Sequence, residues 1–108
     1  MADFNAFLKA VEAGAVELIT GSFRDVGAAA KKDVANYLTK SKDDLKRWTD
    51  LLVGGQLTHE EFETLVLGKK EVAEMIALKQ VGLAEVRLDR FQNALLHLVI
   101  ESAFKLIA

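Results

Sequence analysis

The chain has one sharp corner, and it falls at its midpoint. Gly54-Gly55 is followed by Gln56-Leu57 and then by Thr58-His59-Glu60-Glu61-Phe62. Glycine closes a helix readily because it tolerates the left-handed backbone conformation of the residue just past the last turn. Thr58 and Glu61 have the spacing of a capping box. The Thr58 hydroxyl accepts from the Glu61 N–H, and the Glu61 carboxylate accepts from the Thr58 N–H. Leu57 and Phe62 occupy the flanking positions of a hydrophobic staple. Glu60, Glu61 and Glu63 set negative charge against the positive end of the helix dipole. One helix therefore ends at the glycines and another starts at Thr58.

Both sides of the corner are patterned for helix. On the first side Phe4, Leu8, Val11, Ala15, Leu18, Phe23, Val26, Ala30, Val34, Tyr37, Leu45, Trp48 and Leu52 recur mostly every three or four residues. On the second, Leu65, Val72, Met75, Ile76, Leu88, Phe91, Leu95, Leu98, Val99 and Leu106 do the same. The alternation expected of a strand is absent. The 108 residues contain no proline, so no position is obliged to break a helix. The reading favoured by these features is an all-α chain: a first helical arm over 3–53, a glycine turn over 54–57 and a second arm over 58–107. The two arms form a long antiparallel hairpin that pairs into a dimeric four-helix bundle, because a lone hairpin cannot cover its own apolar face.

A compact monomeric bundle of four or five helices is the alternative. A 50-residue helix would be roughly 75 Å long, whereas a globule of this size has a radius of gyration of about 13 Å. Ser22 with Asp25 and Ser41 with Asp44 offer restart points for shorter helices. Gly14, Gly21, Gly27 and Gly82 each weaken a helix interior by about 1 kcal/mol. Alternatively, the small residues Ala10, Ala13, Gly14, Ala28, Ala29 and Ala30 admit the close approach of another helix.

In the hairpin, the end carrying the corner is rich in charge, and the end where the termini meet is apolar. That apolar end supplies the candidate self-association residues: Phe4, Leu8, Val11, Leu18, Phe23, Phe91, Leu95, Leu98 and Phe104. A large exposed apolar surface implies a partner. A homodimer is the first expectation, with another protein or a lipid surface as alternatives. The amphipathic segment Phe91–Ala108 is the part suited to a lipid surface, although Lys105 is nearly its only cation.

Charge and composition remove several function classes. Fourteen Lys and Arg against sixteen Asp and Glu give a net charge of −2, which is not the basic excess of a nucleic-acid binder. Lys31, Lys32, Lys40, Lys42, Lys46 and Arg47, set against Asp33, Asp43 and Asp44, read as a solvated helix face. Tyr37, Trp48 and the phenylalanines fit a core pattern. With no cysteine there is no disulfide, thiolate site or thiol nucleophile. Acidic residues precede and interrupt the first apolar run, unlike a secretory signal. No stretch has the ~18 apolar residues of a spanning helix. A cytoplasmic protein is expected.

Catalytic chemistry finds few carriers. His59 stands in the first turn of a helix, and His97 stands near the C-terminus, at the opposite end of the hairpin. His97 and Glu101 are spaced to share a helix face and would be two ligands of an intersubunit metal site, but a zinc site needs three or more. Neither histidine follows an acid by three positions, so the di-iron bundle motif is missing. Gly68-Lys69-Lys70 lacks the rest of a phosphate loop, and no EF-hand loop occurs. No catalytic residue, cofactor or metal is assigned, and the chain is read as non-enzymatic, with an enzyme whose intersubunit site lies around His97 and Glu101 as the least favoured reading.

Within residues 45–62, Leu51, Leu52, Gly55, Leu57, Thr58, Glu60, Glu61 and Phe62 follow the pattern of a leucine-rich helix, a glycine turn and a Leu-Thr-x-Glu-Glu-Phe helix start. This segment resembles the bacterial short helical-hairpin module called SHOCT. The lysines expected directly after the glutamate arrive only at Lys69-Lys70. The resemblance implies a role in oligomerisation or interaction and no catalytic residues.

Overall fold

The computed structural model describes residues 3–107. The described residues form five α-helices: α1 (Phe4–Ser22), α2 (Gly27–Val53), α3 (His59–Gly68), α4 (Ile76–Gln80) and α5 (Glu85–Lys105). Short 3-10 turns at Arg24–Val26 and Lys70–Val72 link α1 to α2 and α3 to α4. No strand occurs among the described residues.

The chain folds as a compact bundle of five helices, and the long arms of the expected hairpin are not continuous. The first arm turns back at Phe23–Val26, just past Gly21-Ser22, while helix α2 runs through Ser41 without a break. The second arm breaks twice, at residues 69–75 and at 81–84, where Gly82 takes a left-handed φ of 79°. The molecule is 42 Å in its longest dimension. That is about the length of 27 helical residues, and α2 has 27 residues.

Each long helix buries one stripe. In α1, Asp3 caps the first turn by accepting from the Ala6 N–H at 3.1 Å, and Phe7, Val11, Ala15 and Ile19 face inward at intervals of four. In α2 the buried stripe includes Ala30, Val34, Tyr37, Leu45, Trp48 and Leu52. In α5 it is Phe91, Leu95, Leu96, Val99, Ile100 and Ala103. One cluster joins these residues to Phe62 and Val66 of α3 and to Leu78 of α4. Phe23 and Phe91 meet edge to face with centroids 4.9 Å apart, pinning the α1–α2 turn to α5.

Helices α1 and α5 run antiparallel. Arg87 at the start of α5 reaches Ser22 and Asp25, whereas Leu98 further along lies over Gly14. A Cβ on Gly14 would sit 2.3 Å from Leu98 Cδ1, so this glycine is the place where the two helices come closest through a missing side chain.

The midpoint corner forms as its residues dictate. Gly55 adopts φ 76°, and both bonds of the capping box are made: Glu61 N–H to Thr58 Oγ1 at 3.0 Å and Thr58 N–H to Glu61 Oε1 at 2.9 Å. Its position differs from the hairpin expectation. His59, just past the corner, stacks on Phe104 near the end of α5, with centroids 4.3 Å apart. The extra reversal at Phe23–Val26 brings the corner and the end of α5 to the same pole.

Candidate functional site

The nine residues expected at an oligomer interface separate into two groups. Val11, Phe23, Phe91 and Leu95 are fully enclosed by the chain's own core and offer no surface to a partner. Phe4, Leu8, Leu18, Leu98 and Phe104 are half-buried and lean on that core from its edge. The hairpin required a second chain to cover these stripes, whereas the extra reversals let the chain cover them itself. The apolar stripe of Phe91–Ala108, on which the lipid-surface reading stood, is likewise turned inward from Phe91 to Ala103. No helix among the described residues is long and apolar enough to cross a membrane.

The polar candidates stay apart. His97 and Glu101 are both exposed on α5, and no hydrogen bond joins them. His59, expected far from His97, lies instead against the same helix, because Phe104 is two turns along from His97. No group of three or more His, Cys, Asp or Glu among the described residues is placed to hold a metal ion.

The most site-like feature lies in a segment that contributed no site residue to the sequence reading. A cleft of about 600 Å³ opens between the 71–76 segment on one side and the start of α5 on the other. Ala73, Met75, Ile76, Leu83 and Leu88 line it with apolar atoms, and Glu71, Glu74, Glu85 and Asp89 with carboxylates. Lys79 is the only cation in the lining. Ile76 in this lining is open for its type, at 44% exposure, and Val81 at 58% and Val86 at 69% are open in the neighbouring stretch outside the lining. Gln92 fastens the two walls by donating from Nε2 to the Ala73 carbonyl at 2.7 Å.

Helix α4 closes one flank of the cleft, and its start is capped from a distance. Met75 precedes it in a left-handed conformation, φ 54° and ψ 38°, the only non-glycine residue with positive φ among those described. Such a backbone costs roughly 1–2 kcal/mol for an ordinary side chain. Methionine cannot accept from the free N–H groups of the first turn. Asp33, on α2, does so instead: Oδ1 accepts from the Ala77 N–H at 2.9 Å and Oδ2 from the Leu78 N–H at 2.8 Å. Asp33 is only 3% exposed, so its charge is held by those two N–H groups and by the positive end of the α4 turn. It therefore leaves the solvated charged face on which the sequence placed it. The sequence did hold a signal. Asp33 sits in the apolar stripe of Ala30, Val34 and Tyr37, where an acid needs a buried partner.

Ion pairs complete the frame. Lys40 of α2 pairs with Glu74, Lys69 with Asp44 at 2.8 Å, and Arg87 with Asp25 at 2.8 Å. The hydrogen bond from Lys40 holds the Glu74 carboxyl below the usual carboxylate range, as that from Lys69 does for Asp44 and that from Arg87 for Asp25. Arg87 is raised in turn by its bond to Asp25 and lies over the Phe23 ring at 5.2 Å.

A shallower groove of about 180 Å³ runs between α1 and α2, lined by Glu12, Ala15, Val16, Ile19, Lys31, Val34 and Ala35. Val16, at 52% exposure, is its outermost apolar residue.

No family model matches the chain, and neither the curated proteins nor the solved structures contain a significant match to it.

Proposed function

We propose that this chain is a non-catalytic interaction protein whose working surface is the cleft between the 71–76 segment and α5, and that the occupant of the cleft is a segment of another polypeptide. The observation that carries the reading is the combination, in one concavity, of the partly open apolar side chains Ile76, Leu83 and Leu88 with a carboxylate rim. Exposed aliphatics beside a concave surface are what a protein partner covers. The likeness of residues 45–62 to an interaction module adds to the reading. The test is site-specific photocrosslinking in the cells that make the protein, with a benzoylphenylalanine in place of Ile76, which lines the cleft and is exposed, and, as control, of Glu17 on the exposed side of α1. A discrete crosslinked polypeptide from position 76 alone, identified by mass spectrometry, supports it. Equal crosslinking from both positions, or none from 76, ends it.

Self-association is a second reading, and the observation favouring it is the α1–α2 groove with Val16 at its edge. The small side chains Ala15 and Ala35 leave room there for the ridge of a second copy. Light scattering of the purified chain would show a dimer that Val16→Asp converts to a monomer. A monomer at all concentrations rejects this reading without touching the first.

A further inference from the structure

The geometry points to a basic amphipathic helix, belonging to a different protein, as the occupant of the acidic cleft; this rests on the cleft being the working surface. Charge distribution is the first argument. Four carboxylates and one ammonium give the lining a net charge of −3, against −2 for the whole chain. Lys40 pairs with Glu74 from outside the lining, so Glu71, Glu85 and Asp89 set against Lys79 leave an excess of negative charge facing this concave surface. A complementary partner brings cations there, and electrostatic steering speeds its arrival.

Spacing is the second argument. Glu85 and Asp89 are four residues apart at the start of α5, so they lie on one face about one turn from each other. Two Lys or Arg residues four apart on a partner helix match that interval. Glu71 stands on the opposite wall and takes a third cation. Glu74 is partly satisfied already by Lys40. Between the walls, Ile76, Leu83 and Leu88 present apolar surface that only an apolar side chain covers favourably. The lining reaches from Glu85 to Gln92 on α5, about two helical turns, which sets the length of the bound segment.

A second copy of the chain does not meet these requirements. Its exposed basic stripe on α2, with Lys31, Lys32, Lys42 and Lys46, carries Ala35, Asn36 and Thr39 between the cations, and its large apolar residues face the core. It would bring charge but nothing to fill the floor. A small polycation is disfavoured for a related reason: Ile76, Leu83 and Leu88 would stay open to water.

The test uses three synthetic peptides titrated into the full chain labelled with nitrogen-15. One is a Leu/Lys peptide patterned as an amphipathic helix, one replaces its leucines with serine, and one replaces its lysines with glutamate. The Leu/Lys peptide should shift the amides of residues 71–92 and saturate, and its affinity should fall as salt rises. The Ser/Lys peptide should bind roughly tenfold more weakly. The Leu/Glu peptide should leave these amides unmoved. Glu71→Gln with Asp89→Asn should weaken the Leu/Lys peptide roughly tenfold, while Glu17→Gln leaves it unchanged. Both changes are on exposed side chains, and thermal melts of the variants verify folding. The wild-type salt series gives the same information without a variant. The inference is overturned if the Leu/Lys peptide binds wild type and double variant alike, if its shifts map outside 71–92, or if the Leu/Glu peptide binds the cleft better. In the last case the cleft remains a docking surface for a different occupant. If no peptide moves these amides and position 76 crosslinks nothing, the proposed function falls as well.

Discussion

The two halves of this molecule are held by different forces. Helices α1, α2 and α5 close on one another through buried stripes, with Phe7, Phe23, Phe91, Leu45, Leu95 and Val99 almost wholly removed from water. The stretch from Lys69 to Arg87 contributes Ala73, Met75 and Leu78 to the same core, but most of its named attachments are polar. Lys69 reaches Asp44, Glu74 reaches Lys40, Arg87 reaches Asp25, and the α4 amides reach Asp33. Its helices are short or broken, and it contains the one left-handed non-glycine residue described. Burial resists acid and salt, whereas surface ion pairs respond to both. The difference teaches that the rigid part of the fold and the part that carries the cleft can be loosened separately.

The largest expected effect tests the rigid half. Phe91 is fully buried and touches Phe23 edge to face. Phe91→Ala should cost about 3–5 kcal/mol, combining lost burial with a cavity between α5 and the α1–α2 turn. Urea denaturation should show one cooperative transition at a much lower midpoint. A loss under about 1 kcal/mol would mean that the aromatic pair does not anchor the core, and the contrast between the halves would collapse.

Next comes the buried polar tie. Asp33→Ala strips the partner from two amides at once and should cost about 2–3 kcal/mol. The loss should appear locally first. Hydrogen exchange at Ala77 and Leu78 should accelerate strongly while the amides of Val11 and Leu95 keep their protection. Equal acceleration everywhere would show that α4 and the core open together, which breaks the comparison in the opposite direction.

How far the sequence was legible follows the same divide. The corner at Gly54-Gly55 and the Thr58–Glu61 box were readable because each signal is local: the residues that make the bonds are neighbours. The helical stripes were readable because period alone marks them, and Tyr37 and Trp48 are buried as that pattern implies. The breaks were harder. Of the two restart points read from the sequence, Ser41 lies inside α2 with its side chain buried, whereas the chain does reverse at the other, just past Gly21-Ser22. Asp25 in that turn pairs with Arg87, which lies 62 residues away. The cleft was illegible for the same reason: Asp33, Gln92 and Glu74 acquire their roles only from partners distant in sequence. Carboxylates taken one at a time read as solvated charge, and nothing local says that four of them line a common cleft.

Two glycines on one helix separate space from propensity. A Cβ at Gly21 meets nothing within 4 Å, so Gly21→Ala should stabilise the chain by about 0.5–1 kcal/mol through helix propensity alone. At Gly14 the same change gains the same propensity but drives a methyl into Leu98, 2.3 Å away. Leu98 is half-buried and its far end can swing aside, so the net result at Gly14 should be close to neutral or unfavourable. Paired thermal melts decide the matter. If Gly14→Ala stabilises as much as Gly21→Ala, α1 and α5 do not approach closely there, and the rigid half is less tightly packed than its burial suggests.

The smallest effect probes the polar ties directly. Asp25, Asp44 and Glu74 have carboxyl groups held below their ordinary values of 3.8 and 4.5, each first by the hydrogen bond from its basic partner. A carboxylate lowered in the folded state adds stability that is complete above its unfolded value and is lost as pH falls through the folded one. The melting temperature should therefore stay level between about pH 5 and 7, then decline below the ordinary carboxylate range. Each partner is substantially exposed, so the decline should be shallow and salt should reduce it. Arg87→Ala removes one of the three ties and should flatten the acid limb. Exchange measured on the way down should loosen residues 69–87 before α1. If acid instead loosens α1 first, or if high salt leaves the limb unchanged, the ion pairs do not hold the cleft segment, and burial of Met75 and Leu78 alone must account for its position.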